Sequence, residues 1–322
     1  MSPSKFRPAL WMPGPHAQTI LPSLLPAVGV RGAVEAIDVP VASQTWVRMI
    51  LSLPSGAPRG TVLAIHGLSG SAESGYMRRT ASQALARGWA VARLNLRTCG
   101  GTEALAATLY NAGQSEDAGA ALSALADRGL PRPYALIGFS LGGNIAMRYA
   151  GLTGDACLAD AVVGVNPPVD LNACIDALER SGNALYHAYF TRNLCAHLRR
   201  MRRLREIPGP DARRGAIRGV REFDDVFTAP DAGYAGAAEY YRRASAGPVL
   251  SGLKRPSMIL SAQDDPLVPV SMFAAYHAAS KHLRFLHPRS GGHCGYWGAD
   301  APRFWAATTA LSFFEGDRER VD

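Results

Sequence analysis

Residues 138–142 match the pattern G-x-S-x-G, in which a serine acts as a nucleophile, and Ser140 stands at its centre. The apolar run 134–139 before it predicts a buried strand, and the residues from Leu141 onward predict a helix. A serine on the sharp turn between a strand and a helix needs small neighbours, which the flanking glycines supply. This setting favours Ser140 as a nucleophile over a chance match in an ordinary turn.

A serine hydroxyl needs a neighbouring base to become nucleophilic, and His293 has the setting that such a base requires. It follows Gly291 and Gly292, after the last predicted strand, 283–287. Glycines permit the irregular backbone that directs an imidazole across the strand ends. Four other histidines fall on predicted helices and are interpreted as surface or packing residues, and two lack a suitable loop. The four on predicted helices are His187, His197, His277 and His282, and the two without a suitable loop are His16 and His287.

The base in turn needs a carboxylate that fixes its tautomer and stabilises the imidazolium. The loop after the predicted strand 257–262 contains Asp264 and Asp265. Asp265 is the predicted acid and Asp264 is the alternative, because adjacent side chains leave an extended loop on different sides. The order serine, aspartate, histidine along the chain is that of the α/β hydrolases, and it differs from the orders of chymotrypsin and subtilisin.

An acyl-transfer intermediate also needs backbone N–H donors for its oxyanion. The amide of Leu141, directly after the nucleophile, is one expected donor. The second is expected from the loop after the predicted strand 61–66, and we assign it to Leu68. His66 opens that loop and is interpreted as a structural residue that shapes it.

The elements that must position these residues follow a regular alternation from residue 61 onward, with short apolar runs between longer amphipathic ones. The predicted strands span 61–66, 89–96, 134–139, 161–166, 257–262 and 283–287. The predicted helices span 74–87, 115–128, a segment from 141, 271–280 and 301–315. An antiparallel hairpin over 34–41 and 45–53 comes first. The alternation predicts a mostly parallel, doubly wound sheet covered by helices on both faces. Together with the nucleophile pattern and the order serine, aspartate, histidine, it predicts an α/β-hydrolase fold.

The alternation is interrupted at Pro167 and Pro168. The next about 85 residues are helical in character and too long to be a loop in a compact domain. We interpret 167–250 as a helical cap inserted over the carboxyl ends of the strands, where open α/β sheets bind ligands. The core then comprises 1–166 and 251–322. Four aromatic residues of the cap either line an acyl pocket or form the core of the cap itself. They are Tyr186, Tyr189, Phe190 and Phe227.

The composition fits a globular protein, with 322 residues of which 48% are hydrophobic. The apolar runs fall far short of the roughly 20 residues of a membrane span. Prolines at 8, 13 and 15 interrupt the N-terminal apolar stretch, so the sequence predicts no signal peptide and a cytoplasmic protein. The five cysteines contain no C-x-x-C pair, and they predict small buried thiols, with neither a disulfide framework nor a metal site.

The net charge of +8 is concentrated in residues 199–222, where nine arginines face three acidic residues. The arginines are Arg199, Arg200, Arg202, Arg203, Arg205, Arg213, Arg214, Arg218 and Arg221. This basic segment has two interpretations, either a cationic face for peripheral contact with an anionic membrane or a solvated helix face. Aromatic residues do not interleave with the arginines as a stacking platform would require, so nucleic acid is not an expected partner.

Six motifs spread over nearly the whole chain resemble the YheT-like α/β-hydrolase family, which is related to the mammalian α/β-hydrolase-domain proteins 1 and 3. They occupy residues 15–22, 66–71, 138–144, 225–230, 264–266 and 291–293. The resemblance implies esterase activity on short- or medium-chain acyl esters, with lipid esters included, and no cofactor. Two loops depart from the family. Thr98 stands where the family usually has glycine after an arginine, and Asn111 stands where it has histidine.

The sequence therefore predicts a serine hydrolase that cleaves carboxylic esters, monoacylglycerols among them, through an acyl-enzyme on Ser140. The expected partner is a small ester or a lipid. An acyltransferase, a thioesterase or a phospholipase using the same three residues is the alternative. A non-catalytic binding protein on this scaffold is disfavoured, because such proteins typically lose a member of the triad and all three positions are filled here.

Overall fold

A computed structural model describes residues 5–26, 28–210 and 216–316. The strands of this described part form one eight-stranded sheet in the order β1-β2-β4-β3-β5-β6-β7-β8. They are β1 (Val34–Ala42), β2 (Thr45–Ser52), β3 (Thr61–Ile65), β4 (Ala90–Asn95), β5 (Tyr134–Phe139), β6 (Ala161–Val165), β7 (Ser257–Leu260) and β8 (Leu283–Leu286). β1 pairs with β2, and β2 with β4, in the antiparallel sense, whereas all six strands from β3 to β8 run parallel to one another.

The burial of each strand follows from its position in the sheet. Every residue of β3, β4, β5 and β6 is buried, as expected for parallel strands that are covered on both faces. β1 lies at the edge and alternates, with Ile37 and Val39 buried between exposed neighbours. The predicted hairpin and the predicted parallel strands are confirmed, and with them the α/β-hydrolase fold.

Helices cover both faces of the sheet. They are α1 (Gly14–Leu24), α2 (Gly75–Ala86), α3 (Glu116–Asp127), α4 (Leu141–Thr153), α5 (Leu171–Leu178), α6 (Ala184–Met201), α7 (Val220–Phe223), α8 (Ala229–Asp231), α9 (Ala237–Ala244) and α10 (Trp305–Phe314). Residues of α2 and α10 share one buried apolar cluster with one face of the central strands, and residues of α3 and α4 share a second cluster with the other face. The sheet therefore separates two apolar cores.

The segment between β6 and β7 is helical, as the fold class predicts, and contains α5 to α9. Its buried side chains, among them Leu198, Phe223 and Tyr241, belong to the same apolar cluster as α3 and α4. The short helix Gly247–Gly252 packs against α4. The division into a core of 1–166 and 251–322 and a cap of 167–250 stays a prediction.

Two helices differ from the sequence prediction. The segment predicted as a helix over 271–280 forms the short 3-10 helix Val270–Tyr276, because Phe273 is its one buried residue and gives no apolar stripe for a longer helix. The last helix begins at Trp305 and not at 301, since Phe304 still pairs with Trp297 in a β-bridge. The described helices include none that is both long enough and apolar enough to span a bilayer.

Candidate active site

Ser140 occupies a strained turn between β5 and α4. Its backbone has φ +50° and ψ −120°, a conformation that residues other than glycine rarely adopt. The turn requires glycine on both sides. A Cβ on Gly138 would lie 2.0 Å from the carbonyl oxygen of Gly142, and a Cβ on Gly142 would lie 2.4 Å from that of Ile65. Close packing of the backbone thus holds Ser140 at the carboxyl end of β5.

The three side chains predicted as a triad form one hydrogen-bonded chain. The Nε2 atom of His293 lies 2.8 Å from the Oγ atom of Ser140, and its Nδ1 atom lies 2.8 Å from the Oδ2 atom of Asp265. The Asp265 side chain is fully buried, and its Oδ1 atom accepts hydrogen bonds from the amides of Leu267 and Val268. Such an arrangement can transfer a proton from the serine to the imidazole and stabilise the resulting charge.

Asp264, the alternative acid, contacts a different group. Its Oδ1 atom accepts a hydrogen bond of 2.9 Å from the amide of Gly292, and burial raises the pKa of this carboxyl. Asp264 thus holds the backbone of the loop that carries His293, whereas Asp265 contacts the imidazole. The two adjacent carboxylates leave their loop on different sides, as expected for neighbouring residues of an extended segment.

The loop predicted to supply an oxyanion donor lies against the nucleophile. A Cβ on Gly67 would lie 3.0 Å from the Cβ of Ser140. The amides on either side of Leu68 are occupied, since that of Gly67 donates to the hydroxyl of Tyr76 and that of Ser69 to the hydroxyl of Tyr110. Within the described residues, the Leu68 amide donates to no acceptor. Leu141 is the first residue of α4, where an amide has no intrahelical acceptor.

His66 is buried and is held through both ring nitrogens. Its Nε2 atom accepts a hydrogen bond from the amide of Leu96, so its Nδ1 atom carries the proton and donates to the carbonyl of Gly67 at 2.8 Å. Burial lowers the pKa of this imidazole to about 4, and it stays neutral at physiological pH. His66 fixes the start of the loop that carries Leu68.

An apolar cavity of about 100 Å³ opens at Ser140 and His293. Its lining is dominated by apolar side chains of the helical segment between β6 and β7, namely Leu171, Ile175, Leu178, Phe190, Leu194, Val220, Tyr240 and Tyr241. The cavity also borders Tyr110 and Asn111, so one of the two loops that depart from the YheT-like family lies at its wall.

The four aromatic residues of the predicted cap lie in different environments. Phe190 lines the cavity, whereas Phe227 is buried beside Phe223. Tyr189 is half exposed, and the hydroxyl of Tyr186 is hydrogen-bonded to His16. Sequence reasoning missed a tyrosine pair of α9 that does line the cavity, Tyr240 and Tyr241. A helical signal was present, because the buried residues of α9 recur at 237, 240, 241 and 244.

Sequence reasoning also missed the role of α1, which holds the loop of His293 from outside. The hydroxyl of Thr19 accepts a hydrogen bond of 2.9 Å from the backbone amide of His293 and donates to the carbonyl of Pro15. The buried amide of Gln18 donates to, and accepts from, the backbone of Trp297. A Cβ on Gly295 would overlap the carbonyl oxygen of Gln18. The motif at 15–22 was the available signal, although its contact with residue 293 was not apparent.

The arginines of the basic segment mostly bind other parts of the protein. Arg213 and Arg214 lie outside the described residues. Four of the described arginines form ion pairs: Arg200 with Glu103, Arg205 with Asp231, Arg218 with Glu222, and Arg221 with both Asp176 and Glu179. Arg202 donates to backbone carbonyls and lies over the ring of Phe227. Among the described arginines of the segment, Arg199 and Arg203 are exposed and have no side-chain partner.

Residues 60–300 match the family described as alpha/beta hydrolase fold. The protein YheT of Escherichia coli is 29% identical over 94% of this chain and 91% of its own length. A monoacylglycerol lipase of Saccharomyces cerevisiae is 28% identical over 82% of this chain and 60% of its own length. Est1E from Butyrivibrio proteoclasticus shares the fold, with a TM-score of 0.58 and 15% identity over 88% of this chain and 98% of its own. The resemblance to YheT-like hydrolases is confirmed, and the chain belongs to the α/β-hydrolase family.

Proposed function

We propose that this protein hydrolyses carboxylic esters through an acyl-enzyme on Ser140. The observation that carries the proposal is the continuous hydrogen-bonded chain from Ser140 through His293 to Asp265, at the mouth of an apolar cavity. Nucleophile, base and orienting acid are the groups that acyl transfer requires. The proposed reaction uses no cofactor.

In the proposed mechanism, the Oγ atom of Ser140 attacks the ester carbonyl while its proton moves to the Nε2 atom of His293. The amides of Leu68 and Leu141 donate to the oxyanion of the tetrahedral intermediate. Asp265 keeps the imidazole oriented and stabilises its positive charge. His293 then protonates the departing alcohol, and a water molecule repeats the sequence to release the acid.

We propose short- to medium-chain acyl esters, including monoacylglycerols, as the substrate class. The apolar lining of the cavity by Leu171, Leu178 and Phe190 supports an acyl chain as its occupant. The relatives support the same class. One is named a monoacylglycerol lipase and another, also from Saccharomyces cerevisiae, a medium-chain fatty acid ethyl ester synthase/esterase.

The test is hydrolysis of p-nitrophenyl esters of two to sixteen carbons by the wild type, Ser140→Ala and the control Ser43→Ala, which changes an exposed turn serine. We expect the wild type and Ser43→Ala to be equally active, with an optimum at short or medium chains. We expect Ser140→Ala to lose all but a residual fraction of kcat. A folded wild type that hydrolyses none of these esters would overturn the proposal.

An acyl-enzyme can also transfer its acyl group to an alcohol or be formed from a thioester or a phospholipid. The yeast relative whose name includes both synthase and esterase keeps acyl transfer as the second candidate. Product analysis with added ethanol distinguishes the two. A hydrolase forms mainly free acid at 1 M ethanol, whereas an acyltransferase forms mainly ethyl ester. Peripheral membrane contact through the basic segment is proposed only for Arg199 and Arg203, since the other described arginines of that segment are engaged within the protein.

A further inference from the structure

The cavity at Ser140 and His293 is apolar over most of its lining but has one polar wall. The side chains of this wall come from the loop before α3 and from the segment 224–241. They are Asn111, Asp224, Thr228, Tyr240 and Tyr241. The proposed mechanism uses none of them, although they border the same space as the nucleophile and the base. Their role is therefore to be found in the group that occupies the cavity.

The members of the polar wall are connected to one another. The hydroxyl of Tyr241 donates to the Oδ2 atom of Asp224 at 2.8 Å. The hydroxyl of Tyr240 accepts a hydrogen bond of 2.9 Å from the amide of Ala112, the residue after Asn111. The rings of the two tyrosines lie 5.3 Å apart between their centroids. The tyrosine pair of α9 thus joins Asn111 on one side to Asp224 on the other.

The polar wall is also attached to the helix that begins after the nucleophile. The side-chain amide of Asn144, four residues after Ser140, donates to the carbonyl of Ala112 and to the carbonyl of Ala244 at the end of α9. These bonds hold the loop of Asn111 and the helix of the tyrosine pair against α4. Since Ser140 and the polar wall line one cavity, an acyl group that is held at Ser140 in this cavity faces the polar wall.

Asn111 brings an unused hydrogen-bond donor to the cavity. Its Oδ1 atom accepts from the amide of Gly113 at 2.9 Å, whereas its Nδ2 atom donates to no described residue. The residue is 5% exposed, and the Nδ2 atom keeps part of that accessible surface. Buried polar groups are nearly always paired in native proteins. The Nδ2 atom therefore has room for an acceptor that the described protein does not supply.

Tyr240 and Asp224 add a second donor and an acceptor. The hydroxyl of Tyr240 accepts from Ala112, and its own proton has no acceptor among the described residues. The hydroxyls of Tyr241 and Thr228 are hydrogen-bonded to the carboxyl of Asp224 and leave about half of its roughly four lone-pair sites. Burial raises the pKa of this carboxyl to about 6, so above that pH it is ionised and can only accept.

Donors and an acceptor on one wall fit a group that both accepts and donates hydrogen bonds. A hydroxyl does both. An ammonium group only donates and would leave Asn111 and Tyr240 unpaired, and a carboxylate would be repelled by Asp224. Because the rest of the cavity is apolar, the hydroxyl belongs on an otherwise apolar chain.

Two further features distinguish the same positions. Asn111 stands where YheT-like proteins usually have histidine, so the unused donor belongs to a departure of this chain from the family. Asp224 opens the π-helical turn Asp224–Thr228, an irregularity that is frequent at functional sites. The two residues thus differ from their surroundings in sequence and in backbone, respectively.

From these observations we propose that the cavity selects esters whose acyl chain carries a hydroxyl group, with Asn111 and Asp224 as the residues that determine this specificity. The oxygen of that hydroxyl accepts from the Nδ2 atom of Asn111, and its proton is donated to the carboxylate of Asp224. The remainder of the chain packs against the apolar lining. The inference rests on the proposed function, because it names the acyl group of the ester that Ser140 cleaves.

The first experiment compares ethyl hexanoate with its 3-hydroxy and 6-hydroxy derivatives, which place the hydroxyl near the carbonyl or at the end of the chain. We expect the wild type to prefer one of the hydroxy esters in kcat/KM. Asn111→Leu is expected to lower the ratio of the two kcat/KM values about 3- to 10-fold, the effect of one hydrogen bond. Asp224→Asn is expected to lower it about 10-fold, because a charged acceptor becomes neutral. A wild type without preference for either hydroxy ester would overturn the proposal.

Two further variants separate the donor from the structure of its loop. Asn111→Ser keeps an oxygen that can accept from the amide of Gly113 but lacks the Nδ2 donor, and it is expected to lower the ratio as Asn111→Leu does. Asn172→Leu, at an exposed asparagine of α5 outside the cavity, is the matched control and is expected to keep the ratio. The ratio is insensitive to the fraction of folded protein. A wild-type ratio in Asn111→Ser would overturn the role of the donor.

A second experiment separates this inference from the proposed function. The same three esters are titrated calorimetrically into Ser140→Ala, with and without Asn111→Leu. We expect tighter binding of the preferred hydroxy ester, and loss of that preference in the double variant. A wild type that hydrolyses none of the esters, beside a variant that keeps this binding preference, would contradict the proposed function and retain the specificity site. Equal binding of the three esters would reject the site, and tighter binding of ethyl 6-aminohexanoate would reject its selectivity for a neutral group.

Discussion

Asp264 and Asp265 are chemically identical neighbours with different contacts, one to a backbone amide and one to an imidazole. The difference gives a matched pair of substitutions. Asp265→Asn is expected to lower kcat by about 10³- to 10⁴-fold, because an amide facing Nδ1 favours the wrong imidazole tautomer. Asp264→Asn keeps an oxygen that can accept from Gly292 and is expected to lower kcat less than 10-fold. Steady-state hydrolysis of p-nitrophenyl butyrate measures both, and equal losses would contradict the assignment.

His197 gives a prediction for the pH dependence of stability. Burial lowers its pKa to about 4, so between pH 6.5 and 4 the unfolded chain binds a proton that the folded protein does not. Stability is therefore lost as the pH falls through this window, by about 1.4 kcal/mol per pH unit for one group. The variant His197→Gln removes that contribution. Urea unfolding at pH 7.5, 6 and 5 should show a shallower decline for the variant, whereas parallel declines would contradict the prediction.

At the scale of elements, α1 is the support of the loop that carries His293. Thr19→Val removes the oxygen that accepts from the His293 amide while keeping the side-chain volume, and Thr19→Ser retains that oxygen. We expect Thr19→Val to lower kcat about 10- to 100-fold with little change in KM, because a small displacement of a catalytic group is costly. We expect Thr19→Ser to stay within 3-fold of wild type. If the serine variant lost as much as the valine variant, the hydrogen bond would not be the cause.

Some elements and contacts of the structure could be predicted from the sequence, and others could not. The parallel strands are apparent because continuous apolar runs bounded by polar segments are typical of strands buried on both faces. The meeting of Ser140, Asp265 and His293 follows from this, since each comes after a parallel strand and such strands end at one edge of the sheet. The contact of α1 with residue 293 could not be predicted, because hydrogen bonds between side chain and backbone across 274 positions leave no periodic signal. The tyrosine pair of α9 was detectable from its helical spacing.

At the scale of the whole molecule, the net charge of +8 overstates the attraction that the protein should have for an anionic surface. Most described arginines of the basic segment are held in ion pairs or by backbone carbonyls, which leaves Arg199 and Arg203 for an external partner. Two free cations near an anionic surface contribute about 1 kcal/mol each. Any attraction to a membrane should therefore be modest and should weaken as salt is added.

This expectation is tested by co-sedimentation with vesicles that contain 30% phosphatidylglycerol. The double variant Arg199→Gln/Arg203→Gln is expected to bind about 30-fold more weakly than wild type, which corresponds to the loss of both contributions. The control Arg31→Gln/Arg289→Gln changes the net charge equally at exposed arginines outside the basic segment. An equal loss in the control would mean that total charge, and not this surface, governs binding.

The contact between α1 and the loop of His293 also bears on when, during synthesis, the candidate active site can assemble. Helix α1 is synthesised before the loop that it holds, which emerges more than 270 residues later. A nascent chain that already carries Ser140, Leu68 and α1 still lacks Asp265 and His293, the proposed acid and base. Because chains are made at about 5–20 residues per second, the proposed nucleophile waits roughly 8 to 30 seconds for its partners after its own strand has appeared. Hydrolysis through the proposed triad therefore cannot begin on a nascent chain before residue 293 has been synthesised and its loop has folded against α1.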